Sequence, residues 1–171
     1  TIMTWQSKML VPALLLSVLL LAGCAATKEH SVVEQVPVKV YFGTHDAENL
    51  VAEIHKVKKT DPLMQRSMEI LVGGPKNPEL VAVVPSTVKV KSVNVKERIV
   101  YVDFSEEMVT QRFGGSSREI LAVAAIVNTL TEFPEVDAVQ ILVAGKKVET
   151  LFGHMDITEP LGRSPSIIKN K

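Results

Sequence analysis

The cysteine at position 24 is the residue with the clearest potential for chemistry, because it is the only thiol in the chain. It closes the run Leu21-Ala22-Gly23-Cys24, which follows the cationic residue Lys8 and an apolar segment over Met9–Leu20. A cationic start, an apolar stretch and small residues before the cut are the parts of a secretory signal peptide. A cysteine directly after the cut is the pattern of a bacterial lipobox, in which the thiol carries a thioether-linked diacylglyceryl group. We therefore predict a signal peptide over residues 1–23 and lipidation of Cys24.

The alternative is an uncleaved membrane anchor with a chance cysteine. The apolar run is shorter than the ~20 residues that a spanning helix needs, and Pro12 interrupts it. Two or three acyl chains, at about 0.8 kcal/mol per buried methylene, hold a protein stably on a membrane, whereas one chain does not. The sequence thus predicts a protein of the bacterial cell envelope that faces outside the cytoplasm. Which membrane or leaflet holds it stays open.

Charge and cysteine content exclude several classes of function. The chain has 19 basic and 19 acidic residues, and only Lys8 lies in the predicted leader, so the remainder carries 18 against 19 and a net charge of −1. Such a balance gives no overall attraction to nucleic acid. With Cys24 lipidated, no thiol is left for a disulfide, an iron–sulfur site, a zinc–cysteine site or a nucleophile.

Two further segments combine residue types that bind ligands. The first runs from Gly114 and Gly115 into Ser116 and Arg118, and the second contains His154 and Asp156. Free N–H groups at the start of a helix bind anions. A capping box between Ser116 and Glu119 already uses two of these donors, so capping is the favoured interpretation. For His154 and Asp156 the favoured interpretation is also structural, with Asp156 accepting backbone N–H groups after a turn at Gly153.

Catalytic and metal sites are not favoured by the remaining titratable residues. Three carboxylates lie close together at Asp103, Glu106 and Glu107, but a charge cluster at the end of a strand is usually solvated. The four histidines are scattered, and no pair has the spacing of a zinc motif on a helix. We expect no cofactor, no metal and no enzymatic activity.

Hydrophobic periodicity predicts the elements that position these residues. A polar tether over residues 24–35 precedes a strand from Val36 and a hairpin partner over Leu50–Val57. A helix follows, with Asp61 as its N-cap, Pro62 at its first position and Gly73 as its left-handed cap. After a loop over residues 76–87, we predict a strand over Val88–Val95 with a bulge near Ser92, and then a strand over Ile99–Phe104. A second helix runs from Ser116 to Phe133. It is followed by a strand over Val139–Val143, a short return over Val148–Leu151, and a polar, disordered tail over residues 162–171.

This order predicts an α+β fold. The simplest arrangement is a two-layer sandwich in which two helices pack on one face of a small mixed sheet. The side chains of Leu121 and Ile126 lie off the main apolar stripe of the second helix, so we expect that helix to be covered on more than one side. The other face of the sheet should be polar and open to solvent or a partner, with Lys39, Lys89, Lys91, Tyr101 and Gln140.

Several short motifs, in this order, resemble one family. They are VKVYF, a helix that opens with DP-L, GGP, a VP before the third strand, VYVDFS, GGSSREIL, IVNTLTEFPEVDAVQILVAGK and the closing TLFGHMDITEPLGR. The set resembles the GerMN domain of sporulation and spore-germination proteins and covers residues 36–161. The resemblance implies a fold similar to the ring-building modules of secretion and sporulation channels, and a non-enzymatic role in assembly or partner binding. It carries no catalytic residue, and the chain holds one copy of the domain.

Two classes of function follow from these observations. In the first, a lipid-anchored envelope protein binds another protein or a second copy of itself through a sheet edge or the polar sheet face, in sporulation, germination or envelope maintenance. In the second, an extracytoplasmic module binds a cell-wall glycan or a small anion through Gly114, Gly115, Ser116, Arg118, His154 and Asp156. Few aromatic residues remain after the leader, which disfavours a glycan site.

Overall fold

The elements of the fold are defined in the computed structural model, which describes residues 33–111 and 113–169. They are, in chain order, β1 (Gln35–Thr44), β2 (Leu50–Lys58), α1 (Leu63–Gly73), β3 (Leu80–Val81), β4 (Val90–Lys96), β5 (Ile99–Phe104), α2 (Glu107–Thr110), α3 (Ser116–Leu130), β6 (Ala138–Val143), β7 (Lys146–Lys147) and β8 (Leu161–Gly162), followed by a 3-10 helix over Pro165–Ile167. The predicted α+β class is confirmed. Cys24 and the predicted leader lie outside the described residues.

The strands form two sheets rather than one. The first has the order β2-β1-β3, and the second has the order β4-β5-β6-β7 with β8 also paired to β6. Strands β5 and β6 are parallel, and the other pairs are antiparallel, so the second sheet is mixed as predicted. β1 pairs with β3 at only Gly43 and Thr44, and Pro37 on the same edge has no N–H to donate. Among the described residues, no strand joins β1 to the second sheet.

The core lies between the sheets and the two long helices. The side chains of Val38, Val40 and Phe42 alternate into it from β1, as their spacing predicted. Both α1 and α3 pack against β1 and against each other, while α1 also contacts β4 and α3 also contacts β6. Every residue of α3 from Leu121 to Leu130 is buried, which confirms that this helix is covered on more than one side. Ile120, in the first turns of the helix, is an exception among its apolar residues, with 45% of its surface exposed.

The predicted caps of α1 are each displaced by one residue. Pro62 occupies the N-cap position with an extended backbone, and the helix begins at Leu63, so Asp61 does not cap it. At the other end Gly73 is the last helical residue, and Gly74 has the positive φ, +84°. Either glycine could adopt a positive φ, and it is the second, directly after the last helical residue, that does so.

The hairpin of β4 and β5 follows its prediction closely. Its register shifts between Val90 and Ser92, where the bulge was expected. Gln140 in β6 corrects the expectation of a polar, solvent-facing sheet face. Its side chain is fully buried, and Nε2 donates to the carbonyl of Ile157 at 3.2 Å, because the segment after β7 covers this face.

Residues 162–169, which belong to the segment expected to be a disordered tail, are bound to the domain. Leu161 and Gly162 pair with Val139 and Ala138 of β6. Ile168 forms a parallel bridge with Leu50, and the Lys169 N–H donates to the Leu50 carbonyl at 2.8 Å. Its polar composition predicted fraying, but the pairing satisfies its backbone on the domain surface. In the described part of the chain, no helix has both the length and the apolar character needed to cross a membrane.

Candidate functional site

Glu119 joins the start of α3 to the loop at residues 151–154, which is not the role that was predicted for it. The N-cap of α3 is Gly115, no side chain caps the helix, and the capping box between Ser116 and Glu119 is wrong. Glu119 is fully buried instead. Its carboxylate accepts three backbone N–H groups, from Leu151 at 2.9 Å, Phe152 at 2.9 Å and His154 at 2.7 Å. These bonds satisfy a buried carboxylate that would otherwise be costly.

The Glu119 bonds bring the start of α3 against the segment that contains His154. A cavity of about 560 Å³ lies between them. Gly114 and His154 both line it, together with Val109, Gln111, Thr150, Leu151, Phe152 and Gly153. Two of the six predicted binding residues, one from each predicted segment, thus share one cavity.

The other four predicted binding residues do not line this cavity. Gly115 and Ser116 are exposed at the start of α3. The guanidinium of Arg118 lies over the Phe113 ring, 6.0 Å from its centroid, beside a separate small crevice. Asp156 is exposed, and its carboxylate accepts the Thr158 N–H at 2.9 Å and the Thr158 hydroxyl at 2.7 Å. These hydrogen bonds lower the pKa of Asp156 and fix a local turn, in agreement with the favoured structural interpretation.

Asp103, which was expected to be solvated at the end of a strand, has a structural role instead. Asp103 is buried and accepts the Gly145 N–H at 2.7 Å, which fixes the turn into β7. Within residues 33–111 and 113–169, no group of three or more His, Cys, Asp and Glu side chains is placed to bind a metal ion. The two carboxylates that are buried in this part of the chain, Asp103 and Glu119, both accept backbone N–H groups.

A second polar cluster, which sequence reasoning missed, binds the C-terminal segment. We call it the Arg163 cluster, and it consists of Tyr41, Asn128, Glu132 and Arg163. The guanidinium donates to the Asn128 carbonyl at 2.9 Å, the Tyr41 hydroxyl at 2.9 Å and the Glu132 carboxylate at 2.5 Å. The Tyr41 hydroxyl also donates to Glu132, at 2.6 Å. A signal was present in the sequence, because Asn128 and Thr129 interrupt an otherwise apolar helix.

The same cluster fixes the backbone that follows Arg163. The Asn128 side chain donates to the Ser164 carbonyl and accepts the Ser164 N–H, both at 2.9 Å. The neighbouring Thr129 hydroxyl accepts the N–H of Tyr41 at 3.1 Å. The end of α3 is therefore joined to β1 on one side and to the C-terminal segment on the other.

Comparison with known proteins identifies the domain. Residues 39–149 match the sequence profile of the family Germane, described as sporulation and spore germination. The chain belongs to the Germane family. This confirms the resemblance to GerMN domains that the ordered motifs indicated. The Arg163 cluster extends beyond the matched range, into the C-terminal segment.

Solved GerMN domains share the fold. The first GerMN domain of the sporulation protein GerM from Bacillus subtilis is 25% identical, with a TM-score of 0.65, over 75% of this chain and 98% of that domain. The tandem GerMN domains of the same protein are 24% identical, with a TM-score of 0.64, over 81% of this chain. This chain spans about half of that tandem structure, 49%.

A third solved structure comes from Clostridium perfringens and is described as a lipoprotein. It is 25% identical, with a TM-score of 0.56, over 82% of this chain and 97% of the other. No curated protein matches this chain. The fold of the GerMN domain is thus shared by a sporulation protein and by a protein described as a lipoprotein.

The adjacent glycines before α3 allow a matched test of whether the backbone at Gly114 requires a glycine. Gly114 has a φ of +100°, and a Cβ there would lie 2.1 Å from Cδ of Arg118, whereas a Cβ at Gly115 would meet nothing within 4 Å. We expect Gly114→Ser to lower the free energy of unfolding by about 1–2 kcal/mol, because an L side chain is strained at positive φ. Gly115→Ser should leave it unchanged or slightly raised, since serine is a favourable N-cap. Urea unfolding of both variants measures the difference. Equal losses of unfolding free energy would contradict the conclusion that Gly114, and not Gly115, must be glycine.

The Arg163 cluster makes stability depend on pH at the acid end. Burial alone would raise the pKa of Glu132, but hydrogen bonds from Tyr41, Lys39 and Arg163 outweigh it and hold that pKa below its ordinary value of 4.5. Below pH 4.5 the unfolded chain then binds this proton before the folded domain does. The stabilisation from Glu132 is therefore complete above that pH and is lost as the pH falls through the lowered folded-state pKa.

Glu132→Gln should remove part of this acid dependence. We expect the variant to be less stable than the unsubstituted protein at pH 7, and the difference to shrink as the pH falls towards 3. Thermal unfolding between pH 3 and 7 measures it, with Glu159→Gln, at an exposed position, as the control. A constant difference at every pH would show that the charge of Glu132 does not contribute.

Proposed function

We propose that this protein is a lipid-anchored, non-enzymatic component of a bacterial cell envelope that acts by binding another protein or a second copy of itself. The observation that carries the proposal is the match of residues 39–149 to the Germane family, which is not a known enzyme family. The fold adds support, because its two buried carboxylates accept backbone N–H groups rather than facing a substrate cavity.

The anchor is proposed from the residues at the start of the chain. Leu21-Ala22-Gly23-Cys24 has the form of a lipobox, and one solved relative is described as a lipoprotein. Two or three acyl chains on Cys24 would hold the domain at a membrane surface. The polar residues 25–32 would then separate the lipid from β1.

Sporulation or spore germination is the process that the family description favours. The B. subtilis structures are described as domains of a sporulation protein, and 98% of its first GerMN domain aligns with 75% of this chain. Deletion of the gene in its native host, scored for heat-resistant spores and for envelope integrity, separates sporulation from envelope maintenance.

Assembly is the activity to test first. The fragment from Ala25 onward, which lacks the leader and the lipidated residue, is measured for mass in solution by analytical ultracentrifugation. It is also used as bait against an envelope extract, with the Gly114→Ser variant as a partly destabilised control. A stable oligomer or a specifically captured envelope protein supports the proposal. A strict monomer that captures nothing contradicts it.

A second function is favoured by one observation. Gly114 and His154, from segments about forty residues apart, line the same cavity of about 560 Å³. A concave site to which separate segments contribute is where a small molecule can bind. Co-sedimentation with peptidoglycan tests it, using His154→Ala, whose parent residue lines the cavity, and Arg118→Ala, whose parent residue lies outside it. Binding that is lost only in His154→Ala would place glycan binding ahead of assembly.

A further inference from the structure

The outer edge of β2 is an unpaired row of backbone hydrogen-bonding groups. The bonds from Lys59 N to Glu34 O and from Thr44 N to Asn49 O show which residues of the hairpin bond across it. Backbone groups alternate along a strand, so the even-numbered residues of β2 direct their N–H and C=O groups away from β1. At the two ends, the carbonyls of Leu50 and Lys58 accept the N–H groups of Lys169 and Asp61, which leaves Ala52, Ile54 and Lys56 between them. In the described part of the chain, only a bridge between Leu50 and Ile168 covers this edge.

The opposite edge of the same sheet is closed. On β1, Pro37 has no N–H, the Tyr41 N–H donates to Thr129, and Gly43 pairs with Val81 of β3. A partner strand therefore finds obstacles along β1 and an open ladder along β2. The bridge to Ile168 shows that the β2 edge accepts an extended segment, because the chain's own C-terminal residues pair with its first position.

Positive charge surrounds the open part of the edge. Lys56 and Lys58 are exposed on the strand itself. A groove of about 600 Å³ between β2 and α1 is lined by these two residues and also by Arg66 and Lys76, with Asp61 as its acidic residue. The loop that carries Lys76 is fixed, because the Glu53 carboxylate accepts the N–H groups of Lys76 and Asn77 at 2.8–3.1 Å.

Most of this charge is not neutralised within the domain. Across residues 33–111 and 113–169, Lys56, Lys58 and Lys76 form no ion pair, while Arg66 pairs with Glu69. The whole chain has a formal net charge of zero. The excess of positive charge is therefore local to this surface. Ile54, between the charges and the bridged end, is 65% exposed and supplies an apolar contact on the same strand.

We propose that the free edge of β2 binds an extended, acidic segment of a partner protein by strand addition. This inference rests on the proposed function and names the chemistry of the partner. The main chain of the segment would pair with Ala52, Ile54 and Lys56. Its acidic side chains would meet the groove that Lys56, Lys58, Arg66 and Lys76 line together. A second copy of this chain is disfavoured, because two such edges would bring lysines against lysines.

The backbone part of the proposal is tested by one proline. Ile54→Pro removes an N–H that bonds to nothing in β1, and proline is tolerated where the N–H faces outward on an edge strand. Ile54→Ala keeps the N–H and shortens the side chain. The probe is a fluorescent peptide of eight alternating glutamate and valine residues, titrated against the full chain in non-ionic detergent. We expect Ile54→Pro to bind about tenfold or more weakly, while Ile54→Ala stays within about threefold.

The charge part is tested by a matched pair of double variants. Lys56→Glu with Lys58→Glu reverses the charges at the edge, and Lys146→Glu with Lys147→Glu makes the same change on exposed residues of β7 in the other sheet. We expect the first pair to weaken the acidic peptide about tenfold or more, and the second to change it less than about threefold. A peptide with lysine in place of glutamate should bind detectably only to the double variant with Lys56→Glu and Lys58→Glu.

Several outcomes would overturn the proposal. The first is that the unsubstituted protein does not bind the acidic peptide. The second is that Ile54→Pro and Ile54→Ala, both folded by circular dichroism, bind it equally well. The third is that the two double charge variants lose the same affinity for it. Tight binding of inorganic polyphosphate that Ile54→Pro leaves intact would show a site for polyanions rather than for a strand. A dimer of the chain that Ile54→Pro dissociates would show that a second copy occupies the edge.

Failure of this inference is distinguishable from failure of the proposed function. If an envelope partner binds Ile54→Pro as well as the unsubstituted protein, the function stands and its surface lies elsewhere. If the unsubstituted protein lacks both lipid and partner, the proposed function fails whatever the peptide does.

Discussion

Replacing Glu119 by alanine is expected to lower the free energy of unfolding by about 3–5 kcal/mol. The change leaves three backbone N–H groups, at Leu151, Phe152 and His154, without their acceptor, and it empties a fully buried volume. Buried donors that lose a partner cost about 1–3 kcal/mol each, and breaking a buried charged arrangement costs about 3–5 kcal/mol in all. Urea unfolding followed by circular dichroism measures the loss.

Two further variants show whether the carboxylate itself is required. Glu119→Gln keeps the shape, and its one carbonyl oxygen can still accept the N–H groups of Leu151 and Phe152. Its NH₂ group would then face the N–H of His154, so we expect an intermediate loss of about 1–3 kcal/mol. Glu159→Ala, at an exposed position, should cost less than about 0.5 kcal/mol. If Glu119→Ala costs no more than Glu159→Ala, the assigned role of Glu119 is wrong.

Replacing Arg163 by alanine is expected to cost about 2–3 kcal/mol and to release the C-terminal segment. The guanidinium donates to Asn128, Tyr41 and Glu132, and its carbon lies 5.6 Å from the centroid of the Tyr41 ring. Hydrogen bonds from a charged donor are worth about 1.5–3 kcal/mol, and partial exposure reduces their sum. Hydrogen exchange should show earlier loss of protection at Gly162 and Lys169 than in β5.

The control for Arg163 is a second arginine with similar bonds but greater exposure. Arg98 binds the Asp137 carboxylate through two nitrogens at 2.6 and 2.7 Å, and both side chains are more than half exposed. Exposed ion pairs contribute about 0–1 kcal/mol, so Arg98→Ala should cost less than Arg163→Ala. Arg163→Lys should fall between them, because lysine keeps the charge and loses the planar fork. Equal costs for Arg98→Ala and Arg163→Ala would contradict the role of the Arg163 cluster.

Local patterns in the sequence predicted most of the fold. The alternation in β1, β5 and β6 and the apolar stripe of α3 are set by which residues face the core, and the structure keeps them. The bulge at Ser92 was visible because the alternation of valines changes phase there. The alternation of apolar and polar residues does not indicate which segment of the chain covers each face of a sheet. Gln140 was therefore expected in solvent, although residues near Ile157 bury it.

The site was harder to predict because its partners are distant in sequence. The spacing of Ser116 and Glu119 predicts a local capping box, and a carboxylate at that position can equally accept donors from elsewhere. The loop at residues 151–154 presents three N–H groups to it, more than the cap could supply, and the tertiary arrangement prevails. Arg163 and Asn128 are 35 residues apart, so no local pattern joins them. The shared cavity of Gly114 and His154 follows from the Glu119 bonds.

We propose that a lipid on Cys24 holds this domain outside the cytoplasm. The most direct test is the intact mass of the protein extracted from membranes of its native host, followed by fragmentation of its N-terminal peptide. We predict that residues 1–23 are absent and that a diacylglyceryl group is attached to the sulfur of Cys24. An unmodified Cys24 with the leader still attached would contradict the account.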